Sequence, residues 1–270
     1  YLLPVLLMTV WLTGCVQEEL GSTPSPTGNG IRFTLTVPDV NLPSVSSRTM
    51  TGTGTAKKED EIETVDILVF DMSKTPAVYL ECVSATGVTQ DLADNSTVSF
   101  SAVLSPTTAS TCIVVVANKE LDNIVPGFIK GTTTKVEAME KMLHAQTGKW
   151  LADGSTTDGY TRIPMYGEKV ISKITPSMDP ITGINMKRML ARIDIRNNSA
   201  TSNFTVEEVY LANYNTTGYI APAWNTNGQV TDPAPDTPVL PVNSGKMTEE
   251  GDAILYSVNG NTPYEGEIYT

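Results

Sequence analysis

The sequence predicts an all-β protein made of two β-sandwich domains, with one short helix in the first domain. Three observations support this fold class. Several segments alternate between apolar and polar residues, as half-buried strands do. Twenty glycines and 17 prolines provide turn signals at short intervals along the chain. Charged residues make up only 18% of the chain, so much of the polar surface comes from Thr, Ser and Asn, and β-branched Thr favours strands.

The first fifteen residues have the pattern of a lipoprotein signal peptide. Residues 2–12 form an apolar run that ends in the sequence LTGC at Cys15. The run is shorter than the roughly 20 residues that span a bilayer. Its end resembles the lipobox of bacterial lipoproteins, in which Cys15 would carry the lipid and become the mature N-terminus. The alternative is a buried apolar segment with an incidental Cys.

The polar residues 16–30, rich in Gly, Ser and Pro, predict a flexible tether between the lipid and the fold. The chain begins at Tyr1 with neither Met nor the basic residues that open a secretory signal. We therefore expect the signal to be incomplete in this sequence.

The first predicted strand, IRFTLTV, runs from Ile31 to Val37. Its apolar residues occupy every second position and would share one buried face: Ile31, Phe33, Leu35 and Val37. Pro38 and Pro43 end the strand. Residues 44–58 have no periodicity and no apolar residues that could form a core, so they predict an exposed loop.

Further strands follow in series. In the first domain we expect them at residues 63–70, 77–83, 97–104, 111–117, 163–165 and 169–174. The spacing of apolar residues changes to a helical one over residues 134–146. In the second domain the predicted strands, with Leu190, Ile193 and Ile195 pointing inward, are 185–197, 205–212, 253–258 and 267–270. A turn segment rich in Pro and Gly places the boundary near Ile184, between domains of residues 31–184 and 185–270.

Nothing in the chain predicts catalysis. His144 is the only histidine, so we expect a structural histidine rather than a hydrolytic triad or a His-rich metal site. The acidic runs at residues 59–61 and 249–250 indicate solvated loops. The net charge of −12 excludes nucleic acid as a partner. We expect no cofactor and no metal.

Cys82 and Cys112 lie in apolar runs. Two buried free thiols are favoured, although an exported protein could form a disulfide between them.

Several segments together resemble the FimA/Mfa-type fimbrillins, the major fimbrial subunits of the type V pilus. Beyond the lipobox and the first strand, they include the SSRT loop, ETVDILVFD and CIVVVANKE. The most specific are RIPMYGE, MKRMLARIDIRN and FTVEEVYLANYNTTGYIAP. The resemblance covers residues 15 to about 222. It implies two transthyretin-like, Greek-key sandwich domains in a structural protein of the outer membrane or cell-surface fimbrium, not an enzyme.

The resemblance also implies a route to assembly. The precursor would be held in the membrane through lipid on Cys15, and an Arg-specific protease would cut between Arg48 and Thr49. Loss of the first strand would expose a groove that a strand from a neighbouring subunit fills. The family's C-terminal donor motif is expected where this sequence ends, so we expect the chain as given to accept a strand and not to polymerise.

Other functions stay open. The chain could be a fimbrial anchor that keeps its first strand, or a tip adhesin. It could also be a surface glycan-binding lipoprotein, for which the candidate aromatic residues are Trp150, Tyr160, Tyr214, Tyr219 and Trp224.

Overall fold

The computed structural model describes residues 31–36, 60–90, 97–145, 150, 162–197, 207–212, 214–231, 240–241, 254–257 and 264–269. The described part is mostly β-sheet, which confirms the predicted fold class. Its main body is a pair of sheets. One sheet has four strands and the other has five.

The strands of the four-stranded sheet are β1 (Ile31–Thr36), β4 (Thr86–Gln90), β5 (Thr97–Ala102) and β9 (Ile181–Asn185), in the order β4-β5-β1-β9. Those of the five-stranded sheet are β2 (Val65–Asp71), β3 (Val78–Ser84), β6 (Thr111–Ala117), β8 (Met165–Ile171) and β10 (Lys187–Arg188), in the order β10-β8-β6-β2-β3. Three two-stranded ladders pair β11 (Arg192–Asn197) with β15 (Tyr264–Tyr269), β12 (Glu208–Leu211) with β14 (Ile254–Ser257), and β13 (Thr217–Tyr219) with β7 (Leu143–Ala145).

One hydrophobic core lies between the two main sheets. It takes alternate residues from each sheet, among them Phe33, Phe100 and Ile184 from the four-stranded sheet and Ile67 and Val115 from the five-stranded one. This packing of two sheets through alternating residues is that of a β-sandwich.

A second core covers the other face of the five-stranded sheet. There the intervening residues of β2 and β6, such as Phe70 and Val114, pack against Ala138 and Met139 of the helix α1 (Lys135–Lys141). Because both faces of the sheet are covered, every residue of β6 is buried. This explains why TCIVVVA is a continuous apolar run rather than an alternating one.

The helix is shorter than predicted. It begins with a capping box in which Thr134 and Glu137 bond each other's backbone N–H, and it ends at Lys141. Residues 143–145 form β7 instead, because they pair with β13. The predicted helix over 134–146 is therefore wrong in its last turn.

Two strand predictions also need correction. Two strands were predicted around Tyr166-Gly167, at residues 163–165 and 169–174. The structure has instead one strand, β8, which runs through Tyr166-Gly167 and ends at Ile171. The strand β4 was not predicted, because TGVTQ contains one apolar residue.

The predicted boundary near Ile184 falls beside strands of the sandwich. Beyond it, Lys187 and Arg188 pair with Tyr166 and Met165 of β8, and Met186 lies in the core between the sheets. The division into domains of residues 31–184 and 185–270 stays a prediction.

In the second predicted domain, Leu190 packs against Trp150 and Ile163. Ile193 is 45% exposed, so its predicted inward orientation is wrong. Among the described residues, no helix has the length and apolar character to cross a membrane.

Candidate functional site

The strand β1 occupies an interior position in the four-stranded sheet. It runs antiparallel to β5, with Ile31 opposite Ala102 and Thr36 opposite Thr97. On its other side it runs parallel to β9, with Phe33 beside Ile181 and a register shift before Leu35. Both edges of its backbone are thus paired, although β1 is joined to the rest of the described chain only through residues 37–59.

The side chains of β1 confirm the predicted alternation. Ile31, Phe33 and Leu35 are at most 5% exposed, whereas Arg32 and Thr36 face outward. The Phe33 ring stacks on that of Phe100 in β5, with centroids 5.0 Å apart and an interplanar angle of 8°. Removing β1 would therefore leave an apolar groove whose two walls, β5 and β9, carry unpaired backbone groups.

A polar staple lies beside the C-terminal end of β1. We use this name for Gln90, Asn118, Arg162 and Arg188, the four side chains that bind residues 60–64. The Gln90 amide donates to the Asp60 carbonyl (2.7 Å) and accepts from the Ile62 N–H (3.0 Å). The Asn118 amide donates to the carbonyls of Glu61 (2.8 Å) and Ile163 (3.0 Å) and accepts from the Glu63 N–H (3.0 Å).

The two arginines of the staple bind acidic side chains. Arg188 pairs with Asp60, and Arg162 pairs with Glu61 (3.3 Å) and Glu63 (2.6 Å). Asp60 and Glu61 were predicted to be solvated loop charges, and this is wrong, since both are less than one-third exposed and engaged in ion pairs. Glu59, Glu249 and Glu250 lie outside the described residues.

The RIPMYGE segment supplies a second buried polar cluster. The Lys135 ammonium, 2% exposed, lies 2.6 Å from Glu168 Oε2, and the Tyr166 hydroxyl donates to the same oxygen at 2.6 Å. Burial, together with the nearby Glu168 carboxylate, raises the pKa of Tyr166 well above its usual value. The cluster fastens α1 to β8.

The two described cysteines are free thiols. Burial raises the pKa of Cys112 to about 11 and that of Cys82 to about 12. Cys112 is fully buried, as predicted, whereas Cys82 is half-buried. Such thiols are poor nucleophiles, because the reactive thiolate is disfavoured.

Three of the aromatic residues considered for glycan binding, Trp150, Tyr219 and Trp224, pack against other rings, and Tyr214 is half-buried. Trp150 is 5% exposed and lies 4.9 Å from the His144 ring. Tyr219 and Trp224 meet edge to face at 4.9 Å, and Trp224 packs against the second core. Tyr160 lies outside the described residues. Within the described ranges, no group of three or more His, Cys, Asp and Glu residues could hold a metal ion.

Several predicted site residues fall outside the described ranges, and their roles stay predictions. These are Cys15, Val37, Arg48 and Thr49. The staple, by contrast, was not predicted at all. The only local signal in the sequence is that an Asn, Asn118, directly follows a strand. In the structure its φ is positive, at 57°, a conformation that Asn tolerates better than most residues.

The chain is similar to one protein family and to several solved structures. Residues 25–263 match the family model described as Fimbrillin-A associated anchor proteins Mfa1 and Mfa2. A solved structure of a candidate cell adhesion protein from Parabacteroides distasonis ATCC 8503 superposes with a TM-score of 0.51 at 15% identity, covering 89% of this chain and 70% of that one. A fimbrial assembly protein from the same strain gives a TM-score of 0.40 at 13% identity, covering 88% of each chain. No curated protein matches the chain in sequence.

The fold defines a β-sandwich protein whose first strand is buried and paired on both sides. The chain belongs to the family of fimbrillin-A associated anchor proteins Mfa1 and Mfa2, because that family's model matches most of its length. It is therefore a fimbrial protein of the cell surface.

Proposed function

We propose that the chain is a structural subunit of a surface fimbrium in which β1 is replaced by a strand from a neighbouring subunit. The observation that carries this proposal is the position of β1, which fills an interior place in its sheet with three buried side chains. Because the backbone of β1 is paired on both sides, only another strand could take its place in the sheet.

The energetics favour exchange over an empty groove. Full burial of a side chain such as Ile, Phe or Leu stabilises by about 1.5–3 kcal/mol, and β1 buries three of them. A strand added by β-augmentation would restore both this burial and the backbone pairing. Contacts of this kind are head-to-tail, so they propagate as a filament.

The geometry of β1 specifies the incoming strand. It would run antiparallel to β5 and parallel to β9, as β1 does. It would present apolar residues at every second position, with a large side chain at the place of Phe33, because the Phe100 ring forms the floor there.

Release of β1 requires a cut in the chain between Thr36 and Asp60. We place it between Arg48 and Thr49, through an Arg-specific protease acting on a precursor held in the outer membrane by lipid on Cys15. The other arginine near the chain start, Arg32, is protected because it lies within β1 and is paired with Ser101.

The second candidate function is a fimbrial anchor. The description of the matching family supports it, since the family is named for anchor proteins. An anchor would keep both Cys15 and β1, so Arg48 would stay uncut and the groove would stay filled.

Intact mass and N-terminal sequencing of the surface protein from native cells test these alternatives. An N-terminus at Thr49 is the expected result, and it would mean that β1 is released. A diacylated N-terminus at Cys15 would overturn the exchange proposal and favour the anchor.

A further inference from the structure

The polar staple bridges the two sheets of the sandwich. Gln90 belongs to the four-stranded sheet, whereas Asn118 follows β6, Arg162 precedes β8 and Arg188 lies in β10 of the five-stranded sheet. All four side chains bind residues 60–64, which lead into β2. The segment 60–64 is therefore fastened to both sheets at once.

The staple lies next to β1 without including it. On β5, Val98 is opposite Leu35 of β1 on one side and opposite Gln90 of β4 on the other. None of the staple bonds described above uses an atom of residues 31–36. Its bonds can therefore persist when β1 leaves.

We infer that the staple holds the two sheets at a fixed spacing while β1 is absent, so that the groove remains open to an incoming strand. This inference rests on the proposed exchange of β1. Without a tie of this kind, the apolar faces of the two sheets that the loss of β1 exposes would close on each other, because burial of apolar surface is favourable and non-directional.

Residues 60–64 would also fray without the staple. After a cut in residues 37–59 they lie close to a chain end, where few contacts normally restrain the backbone. Here the carbonyl or N–H groups of Asp60, Glu61, Ile62 and Glu63 are bound by side chains, and the Thr64 carbonyl accepts from the Asn118 N–H at 2.9 Å. The beginning of β2 is thereby fixed with or without the residues that precede it.

The test uses the full chain with a recognition sequence for a specific protease placed at residues 49–55. The chain is cut there, and a labelled peptide of sequence IRFTLT is added in excess. Uptake of the peptide requires β1 to leave and the groove to persist. The variants are Asn118→Gly, which accepts the positive φ but removes the amide bonds, and Arg188→Gln. Lys173→Gln, at an exposed position of the same sandwich, is the matched control.

We expect the cut wild type and the Lys173→Gln protein to take up the peptide alike. The Asn118→Gly and Arg188→Gln proteins should take it up at least about tenfold less, since loss of one or two hydrogen bonds changes an equilibrium by about that factor. Before cutting, hydrogen exchange in β2 and β5 should show that both variants are folded.

Equal uptake by all four proteins would overturn the inference, and so would a cut wild type that takes up no peptide. Either result is independent of how native cells process the chain, because the cut is engineered. Failure of the staple is thus distinguishable from failure of the proposed function, which the native N-terminus reports.

Discussion

The hydrogen-bond and ion-pair partners of the staple side chains could not be predicted from the sequence. The partners of Asn118 lie 57 and 45 residues away in the chain, at Glu61 and Ile163. Those of Arg188 and Arg162 are 128 and 101 residues away. Local patterns carry no information about contacts at such separations, so Asp60 and Glu61 look like solvated charges until the fold brings the arginines to them. The apolar residues of β1 could be predicted because alternation is a local property.

Burial of the Cys112 thiol makes the stability of the protein depend on alkaline pH. Burial raises its pKa to about 11, above the unfolded value of about 8.5. A raised folded pKa means that the native state retains the proton longer. Its contribution to the free energy of unfolding is therefore fully present below about pH 8.5 and is lost as the pH rises through about 11.

We expect the free energy of unfolding, measured by urea denaturation at a series of alkaline pH values, to fall less steeply in Cys112→Ala than in the wild type. The difference should be of order 2 kcal/mol across this range. Identical slopes would contradict the assignment. Reductant should leave both curves unchanged, because the two described thiols are unpaired.

Among the elements, those defined by hydrophobic periodicity were predicted within a few residues, and those defined by distant partners were not. β1, β2, β5 and β6 belong to the first group. Residues 143–145 continue the helical spacing of α1, but they pair with β13, which is far along the chain. The pairing partner overrides the local preference, and the helix ends early.

Gly167 misled the prediction for a different reason. A glycine between two apolar runs normally indicates a turn, yet β8 passes straight through it. A Cβ atom at this position would lie 2.7 Å from Met186 Sδ and 2.8 Å from Ile184 Cγ2. The glycine is required by close packing of the end of β9 and of Met186 against the strand, which no local pattern reveals.

The ion pair between Lys135 and Glu168 attaches α1 to β8. Breaking a buried ion pair by removing one partner costs about 3–5 kcal/mol, because the other charge stays buried. Glu168 is 22% exposed, so we expect the lower part of this range for Lys135→Met. In a double-mutant cycle with Glu168→Gln, the two losses should add to more than the loss in the double variant. Chemical denaturation of the four proteins measures this coupling.

The matched control for this cycle is Glu63→Gln. Glu63 also lies 2.6 Å from its arginine but is 60% exposed, and exposed pairs contribute about 0–1 kcal/mol. Additive losses for Lys135 and Glu168, or a loss at Glu63 as large as that at Lys135, would contradict the structural role of the cluster.

For the whole molecule, the decisive quantity is how much of the stability depends on one six-residue strand. Burial of Ile31, Phe33 and Leu35 contributes roughly 5–9 kcal/mol at about 1.5–3 kcal/mol for each side chain. Domains of this kind have a total stability of about 5–15 kcal/mol. The remaining sandwich is thus close to its stability limit without β1, as the proposed replacement of β1 by another strand would require.

We therefore expect a chain that lacks residues 31–36 to unfold at a much lower temperature than the full chain, and the peptide IRFTLT added in trans to reverse most of the loss. A peptide with Ala at the place of Phe33 should restore far less, because it cannot stack on Phe100. A peptide with its apolar and polar residues exchanged should restore nothing, since a shift by one residue turns the apolar face outward. Thermal denaturation with each peptide checks this order. If all three peptides stabilised the shortened chain equally, the groove would lack register selectivity, and a neighbour's strand could not be recognised by the pattern that β1 displays.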